Sequence, residues 1–371
     1  MRILFSGGGT GGHINPALAV ANYFKEKEPE TEILYVGGKN SMEEKLVPKA
    51  GFDFIGLTVS GFQRKISIEN IGRNIRAVAR VFSASAKARK ILKEFKPDVC
   101  FGTGGYVCGP ILREAAKMGI PVFVHESNSY PGMTTKMLSK HARCIMICSE
   151  DVKKHLKDCR CEITGNPVRP EVLKADREKS RRELSLDERP LVLSFGGSLG
   201  AQKINDAVSE LLLRSAKDQK YQHIHGYGQY SKELPESLKS RGLDTQKATN
   251  IDLREYINNM DVCLSAADLV ICRAGAITLS ELRAQGKASI LIPSPNVAEN
   301  HQYHNAMSMV RRDAARIIEE KDLTAEKLIE TVDEVLSDIS KAKRIGENAK
   351  KIAILDANER IYRIIKNEVK L

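Results

Sequence analysis

The chain opens on the glycine-rich stretch Phe5-Ser-Gly-Gly-Gly-Thr-Gly-Gly-His-Ile-Asn-Pro16, which follows a short apolar run. From Gly7 to Gly12 the spacing fits both the G-x-G-x-x-G of dinucleotide-binding domains and the start of a P-loop, but His13 stands where a P-loop has lysine. In both motifs a strand enters a helix through a turn whose backbone N–H groups bind phosphate. The stretch therefore predicts an α/β unit with an anion-binding turn.

The same pattern recurs along the chain. From position 191, "LVLSFGGSLGAQKINDAV" is again an apolar run, a glycine turn and a helical pattern, and shorter versions are "FGTGGY" at 101–106 and "CRAGAITLSE" around Gly275. Between them, apolar runs alternate with helical stretches, which is typical of parallel sheets covered by helices. A chain of 371 residues is long enough for two such domains. We expect two doubly wound domains in tandem.

The predicted boundary falls at "ITGNPVRPEV", where a glycine and two prolines precede a charged helix. This gives a first domain over residues 1–165, a second over 166–352 and a final segment, 353–371. The final segment carries three isoleucines on one helical face, Ile361, Ile364 and Ile365. We expect this helix to pack back on the first domain.

Composition narrows the class of protein. The eight cysteines form no C-x-x-C pair, which argues against a zinc site. Several lie in apolar runs and are expected to be core residues, so a reducing compartment is expected. The absence of tryptophan argues against a stacking platform for nucleic acid. No signal peptide is predicted, and no apolar run reaches the length of about 18 residues that a membrane span needs.

The net charge of +11 is concentrated between residues 61 and 96, which hold ten Lys or Arg against two Glu. This segment also carries an apolar stripe flanked by arginines: Ile68, Ile71, Ile75, Val78 and Phe82, beside Arg73, Arg76 and Arg80. Two interpretations stay open. The stripe is a core face on a solvated basic helix, or it is an interfacial face drawn to an anionic membrane surface.

Several familiar motifs fail on a required residue. The second predicted strand, "EILYVGGKN", does not end in the ribose-binding acid of an NAD enzyme. Gly196-x-Ser198-x-Gly200 fits a nucleophile elbow, but Ser198 as a hydroxyl donor to phosphate explains the same residues. His301 and His304 lack an acidic third ligand, so we expect no metal.

In their order and spacing, "GGTGGHINPALAVA", "GTGGYVCGP", "HESN", "GNPVR", "GGSLGA", "CRAGAITLSE" and "NHQYHNA" resemble the MurG family of glycosyltransferases, from about residue 2 to 310. The resemblance implies a GT-B fold, with two Rossmann-like domains across a deep cleft. It also implies inverting transfer of N-acetylglucosamine from UDP-GlcNAc to the MurNAc C4 hydroxyl of undecaprenyl-pyrophosphoryl-MurNAc-pentapeptide, lipid I, which gives lipid II for peptidoglycan.

The resemblance also implies a donor site, mostly on the second domain. Ile257 meets the uracil through its backbone, Glu281 accepts from the ribose hydroxyls, and Gln302 bonds the sugar hydroxyls. The other implied donor residues are Thr10, Gly11, Gly12, Asn128, Arg169, Ser198, Ala276, Ile277, Thr278, Leu279 and Ser280. This sequence departs from the family at Ser127, Leu199 and His301, where glutamine is common, so fine donor contacts differ.

The implied acceptor site lies at the glycine turns of the first domain, with Gly104, Gly105 and Tyr106. Beside it, His13 is the first choice for the base that deprotonates the attacking hydroxyl, because its reference pKa near 6.5 suits proton transfer around neutrality. Glu126 is the second choice, and a histidine that only positions pyrophosphate is the alternative.

We expect no cofactor beyond the UDP-GlcNAc donor. The expected partners are lipid I, an anionic membrane surface and other cell-wall synthesis proteins, with no nucleic acid. The expected location is the cytoplasmic face of the cytoplasmic membrane, as a peripheral protein. Another GT-B enzyme that uses the same donor, an epimerase or a glycolipid synthase, is the nearest alternative, and a two-domain binding protein without turnover is a further one.

Overall fold

The computed structural model describes residues 1–58 and 84–369, and divides the chain into two compact units. Unit 1 comprises Met1–Pro167 and Asp356–Leu371, and unit 2 comprises Val168–Leu355. The chain therefore passes from unit 1 to unit 2 within the segment "GNPVR" and returns after residue 355.

Unit 1 is built on a seven-stranded parallel sheet in the order β3-β2-β1-β4-β5-β6-β7. Its strands are β1 (Arg2–Gly7), β2 (Glu32–Gly38), β3 (Asp53–Leu57), β4 (Val99–Gly104), β5 (Val122–Glu126), β6 (Cys144–Ile147) and β7 (Cys161–Ile163). The central strands are apolar and buried almost throughout, because helices cover both faces of a parallel sheet.

The helices of unit 1 lie between these strands. They are α1 (Gly11–Lys27), α2 (Glu43–Lys49), the helical residues 84–95 (α3), α4 (Cys108–Lys117), α5 (Met133–Leu138), α6 (Glu150–Lys153) and, at the end of the chain, α16 (Ala357–Glu368). The predicted membrane stripe on residues 68–82 lies outside the described residues. Within the described ranges, no helix is both long enough and apolar enough to cross a bilayer.

Unit 2 repeats the architecture with six parallel strands in the order β10-β9-β8-β11-β12-β13. They are β8 (Leu191–Phe195), β9 (Gln222–Gly226), β10 (Ile251–Arg254), β11 (Leu269–Cys272), β12 (Ala288–Leu291) and β13 (Arg316–Ile317). Its helices are α7 (Pro170–Lys174), α8 (Arg177–Glu183), α9 (Gln202–Asp218), α10 (Leu234–Ser240), α11 (Met260–Ala266), α12 (Ala276–Gln285), α13 (His301–Val310), α14 (Ala325–Leu336) and α15 (Ile339–Lys351), with 3₁₀ turns at Ala298–Asn300 and Glu320–Asp322.

Both sheets reverse their strand order at one point, between β1 and β4 in unit 1 and between β8 and β11 in unit 2. At such a point the loops after the two strands separate and leave a crevice at their carboxyl ends, where α/β proteins bind ligands. All four predicted glycine turns follow these four strands. The α/β class with two parallel sheets is confirmed.

Helix α16 joins the first sheet's core although it is encoded last. Ile361 and Ile365 are fully buried among Ile3, Phe5 and other residues of unit 1. At the rim, Tyr23 and Tyr362 donate to the carboxylates of Glu359 and Glu28 respectively. The last turn is held by Arg143 and Arg160, which both bind Glu368.

Unit 2 contains a buried polar cluster on strands β8 and β9, formed by Ser194, His223 and His225. The hydroxyl of Ser194 on β8 is 2.7 Å from His223 Nε2 and 2.7 Å from His225 Nδ1, both on β9. Burial lowers the pKa of His223 well below its ordinary value and lowers the pKa of His225 to about 4. Both imidazoles are therefore neutral in the folded protein at neutral pH.

Because His223 and His225 are buried in the neutral form, we expect unit 2 to lose stability in acid. The unfolded chain takes up protons near pH 6.5 and the folded chain only near pH 4, so the contribution is complete above about pH 6.5 and is lost as the pH falls towards 4. His225 alone accounts for about 3 kcal/mol over that range. Urea unfolding followed across this range measures it.

The control is His141→Gln, which removes an exposed histidine of unit 1 away from this cluster. His223→Gln and His225→Gln should each flatten the slope of stability against pH. The assignment would be contradicted if stability fell with pH as steeply in His223→Gln and His225→Gln as in the wild type.

Candidate active site

The two glycine turns of unit 1 touch each other. Gly8 N donates to Gly104 O at 3.2 Å, and a Cβ at position 105 would lie 2.3 Å from Gly8 O. Gly104 and Gly105 have φ values of +106° and +88°, which side chains disfavour. The turns after β1 and β4, both predicted to bind pyrophosphate, thus form one continuous backbone surface.

His13 lies in the first turn of α1, beside this surface. Its Nδ1 is 2.8 Å from Thr103 O, and Thr103 Oγ1 donates to His13 O at 2.7 Å. A carbonyl oxygen only accepts, so Nδ1 carries the hydrogen, and in the neutral imidazole Nε2 is the basic nitrogen.

The other predicted residues of this turn stand at the start of α1. Thr10 is the extended residue before the helix, and its carbonyl accepts from His13 N at 3.0 Å. Gly11 and Gly12 are the first two helical residues, and both are at least partly exposed. Backbone N–H groups at a helix N-terminus attract anions.

Glu43, at the start of α2, is bound to the same turn. Its carboxylate accepts from Gly9 N at 3.2 Å and from Gly38 N at 2.8 Å, and only 2% of the residue is exposed. Gly8 and Gly37 leave room for it, because a Cβ at either position would lie within 2.5 Å of its side chain. Sequence analysis missed this residue, and its signal was the Gly37-Gly38 pair that ends β2.

Glu126, the second choice of base, is surrounded by donors. Its Oε1 accepts from the backbone and side-chain nitrogens of Asn128 at 3.0 and 3.1 Å. Its Oε2 accepts from Gly132 N at 2.8 Å and from Thr135 Oγ1 at 2.6 Å. The carboxylate therefore fixes Asn128 and the start of α5.

The motifs "HESN" and "GNPVR" bind each other inside unit 1. His125 Nε2 donates to Gly165 O at 2.9 Å, and Asn166 Nδ2 donates to Ser127 O at 3.0 Å. Burial lowers the pKa of His125, which keeps its ring neutral. The segment that leaves unit 1 is thus tied to the end of β5.

In unit 2, the turn after β8 is also held by glycine. Gly197 and Gly200 have φ values of +101° and +87°, and a Cβ at position 200 would lie 2.2 Å from Tyr227 O. Ser198 is exposed at the tip of the turn. Ile257 is buried, and its side chain packs against Gly226, so only the backbone of Ile257 could form hydrogen bonds with a ligand.

Most of the remaining predicted donor residues lie at the start of helix α12. Gly275 precedes it, and Ala276, Ile277 and Thr278 form its partly exposed first turn. Leu279 is buried in the core of unit 2, and Ser280 Oγ donates to Ala276 O at 3.1 Å.

Arg169 and Glu281 form a bidentate ion pair. Arg169 Nε donates to Glu281 Oε1 at 2.6 Å and Nη2 donates to Oε2 at 3.2 Å. Glu281 is buried and Arg169 is half-exposed. Two parallel hydrogen bonds fix the plane of the carboxylate as well as its position.

Gln302 lies at the start of α13, and its Oε1 accepts from Ser294 N at 2.9 Å. This fixes the amide so that the Nε2 group is its donor end. The neighbouring His301 bonds Ala298 O through Nδ1. In the described part of the chain, no three His, Cys, Asp or Glu side chains are grouped to hold a metal ion.

Comparisons with known proteins bear on this geometry. The family model of the glycosyltransferase family 28 N-terminal domain matches residues 3–147, and that of the family's C-terminal domain matches residues 191–362. The chain belongs to glycosyltransferase family 28. The first model covers β1 to β6, and the second covers all six strands of the sheet in unit 2 and the start of α16.

Within this family, the chain is similar to curated transferases along its whole length. It is 45% identical to the UDP-N-acetylglucosamine--N-acetylmuramyl-(pentapeptide) pyrophosphoryl-undecaprenol N-acetylglucosamine transferase of Acetivibrio thermocellus, over 100% of this chain and 99% of that one. It is 42% identical to a transferase of the same description from Bacillus cereus, over 100% of both chains.

Among solved structures, MurG of Acinetobacter baumannii matches with a TM-score of 0.79 and 25% identity over 99% of both chains. The UDP-GlcNAc 2-epimerase of Neisseria meningitidis matches with a TM-score of 0.68 at 14% identity, over 99% of this chain and 100% of that one, which shows a shared fold. The predicted membership of the MurG family and the GT-B fold are confirmed.

The predicted residues thus fall into two groups. Unit 1 holds those of the first helix turn, the end of β4 with the loop after it, and "HESN", and unit 2 holds the rest. The positions of Thr103 and Glu43 were not anticipated. Thr103 sits in the quoted "FGTGGY", but its bonds to His13 span 90 residues of sequence.

The Arg169–Glu281 pair yields a test of what each residue recognises. Arg169→Ala leaves the buried Glu281 carboxylate without its partner, so if Glu281 is a ribose ligand as predicted, binding of uridine, which has no phosphate, should weaken about tenfold. If Arg169 serves the diphosphate alone, uridine binding stays at the wild-type level and only UDP binding falls. Calorimetry with uridine and UDP separates the two, and Arg177→Ala, a surface arginine of unit 2, is the control.

Proposed function

We propose that the protein transfers N-acetylglucosamine from UDP-GlcNAc to the MurNAc C4 hydroxyl of lipid I, with inversion, to give lipid II. The relatives at 42–45% identity are named as N-acetylglucosamine transferases that use UDP-N-acetylglucosamine and N-acetylmuramyl-(pentapeptide) pyrophosphoryl-undecaprenol, and they align over the full chain. The observation that carries the mechanism is the contact of His13 Nδ1 with Thr103 O, because it presents a basic nitrogen beside a phosphate-binding surface.

His13 is the base in this proposal. Nε2 takes the proton of the C4 hydroxyl as that oxygen attacks the anomeric carbon, and the Nδ1–H bond to Thr103 O strengthens as the imidazolium forms. Glu126 is less suited to this task, because four hydrogen bonds already hold its carboxylate. Its role is to orient Asn128.

The donor binds unit 2 in this proposal. The carboxylate of Glu281, held by Arg169, accepts from the ribose hydroxyls, and the amide of Gln302 donates to hydroxyls of the sugar. Arg169, Ser198 and the first turn of α12 supply positive potential and donors to the departing diphosphate, which lowers the cost of breaking the glycosidic bond.

His13→Ala should lower kcat by about 10² to 10⁴-fold, because the hydroxyl loses its base, while the Kd of UDP-GlcNAc stays within about twofold. UDP release in the presence of a lipid I analogue measures kcat, and label in the lipid product separates transfer from epimerisation. His141→Ala, at an exposed position, is the control. Wild-type turnover of His13→Ala would remove this residue from the chemistry.

A lipid-linked acceptor requires a membrane surface, and we place the protein at the cytoplasmic face of the membrane. Three large apolar side chains are exposed next to the acceptor turns: Tyr106 by 70%, Met133 by 63% and Met137 by 44%. Thr134 Oγ1 donates to Gly105 O at 3.3 Å, which joins α5 to the turn. We call Tyr106, Met133 and Met137 the apolar lip.

The charge around the apolar lip fits an anionic bilayer. Residues 127–149 contain three Lys or Arg and no Asp or Glu, and Lys136 and Lys140 lie on or just after α5. Apolar side chains beside basic ones are typical of surfaces that insert into the headgroup region.

Replacing both methionines of the lip by glutamate should lower binding to phosphatidylglycerol-containing vesicles about tenfold or more, because two charges enter the apolar contact. Met42→Glu is the control, since Met42 is 51% exposed elsewhere in unit 1. Co-sedimentation measures the effect. Unchanged binding of the double variant would exclude the lip from the membrane contact, while turnover of a short-chain soluble acceptor tests the catalytic proposal separately.

A further inference from the structure

Thr103 and Gly104 both contact His13: Thr103 forms two hydrogen bonds with it, and Gly104 lies against its imidazole ring. The main chain of Thr103 accepts the Nδ1 hydrogen at 2.8 Å, and its side chain donates back to His13 O at 2.7 Å. Thr103 is 2% exposed, so neither group reaches a ligand. The pair of bonds closes a ring between the end of β4 and the first turn of α1.

Gly104 supplies the space for the ring. A Cβ on this residue would lie 2.8 Å from His13 Cε1 and 2.9 Å from Nδ1, closer than carbon atoms approach without displacement. Gly104 has a φ of +106°, and its carbonyl accepts from Gly8 N, which holds the end of β4 against the turn after β1.

We propose that Thr103 and Gly104 are positioning residues that hold His13 in one tautomer and one ring plane, with Nε2 as the base. The inference rests on the proposed role of His13. It assigns no contact with substrate to Thr103. It gives Gly104 a second role besides the predicted acceptor binding. The imidazole of His13 leaves no room for a side chain at this position, whether or not the acceptor binds the backbone there.

The first test is Gly104→Ala. The methyl group displaces the ring from Thr103 O, so kcat should fall about 10²-fold while the KM for UDP-GlcNAc stays within about twofold. The acidic limb of the kcat–pH profile should move down by about half a pH unit or more, because the imidazolium loses an acceptor for its Nδ1 hydrogen. A loss of packing alone would not move that limb.

The matched control is Gly119→Ala. Gly119 lies in unit 1 with a φ of +76°, and a Cβ there meets nothing within 4 Å, so the substitution adds backbone strain without touching His13. Its pH profile should match the wild type.

The second test is Thr103→Val, with Thr103→Ser as the conservative variant. Valine keeps the carbonyl but removes the bond to His13 O, so kcat should fall about tenfold, and serine should restore it to within about twofold. Nitrogen NMR of labelled histidine reports the tautomer independently of turnover.

A wild-type kcat and pH profile in Thr103→Val would overturn the proposal, as would an unchanged Nδ1–H signal and acidic limb in Gly104→Ala. If His13→Ala retains turnover, the proposed base fails, but the NMR signal still decides whether these residues fix the tautomer.

Discussion

The turns after β1 and β4 can meet only because both are made of glycine. Any side chain at position 105 would collide with Gly8 O, and one at 104 would collide with the imidazole of His13. This close approach sets the position of the helix that starts at Gly11, and with it the orientation of the proposed base. Neighbouring parallel strands place the two turns at one edge of the sheet, but glycine allows them to share a surface.

The two units share one architecture, but different residues lie behind their glycine turns. In unit 1, the carboxylate of Glu43 already occupies N–H groups of Gly9 and Gly38, so the turn offers fewer donors to an anion there than its sequence suggests. In unit 2, the buried carboxylate of Glu281 on α12 is bound by the side chain of Arg169. A guanidinium leaves lone pairs of the carboxylate for hydroxyl groups, which suits a ribose.

Local patterns predicted the fold because each unit is a series of strand, glycine turn and helix, and these signals lie within a few residues. The same locality placed His13 and the α12 turn correctly at strand ends. The remaining geometry depends on strand order, which brings together Thr103 with His13 across 90 residues and Arg169 with Glu281 across 112. Single residues such as Glu43 gave no periodic signal, because a buried acid in a short helix looks like any solvated one.

Helix α16 gives the chain an order of assembly. Unit 1 needs Ile361 and Ile365 to complete its core, yet these residues leave the ribosome after all of unit 2 has been made. During synthesis, unit 2 can therefore fold first, while the face of the unit 1 sheet that α16 covers remains exposed. A nascent chain stalled before residue 356 would expose that face, so unit 1 becomes complete only at the end of translation.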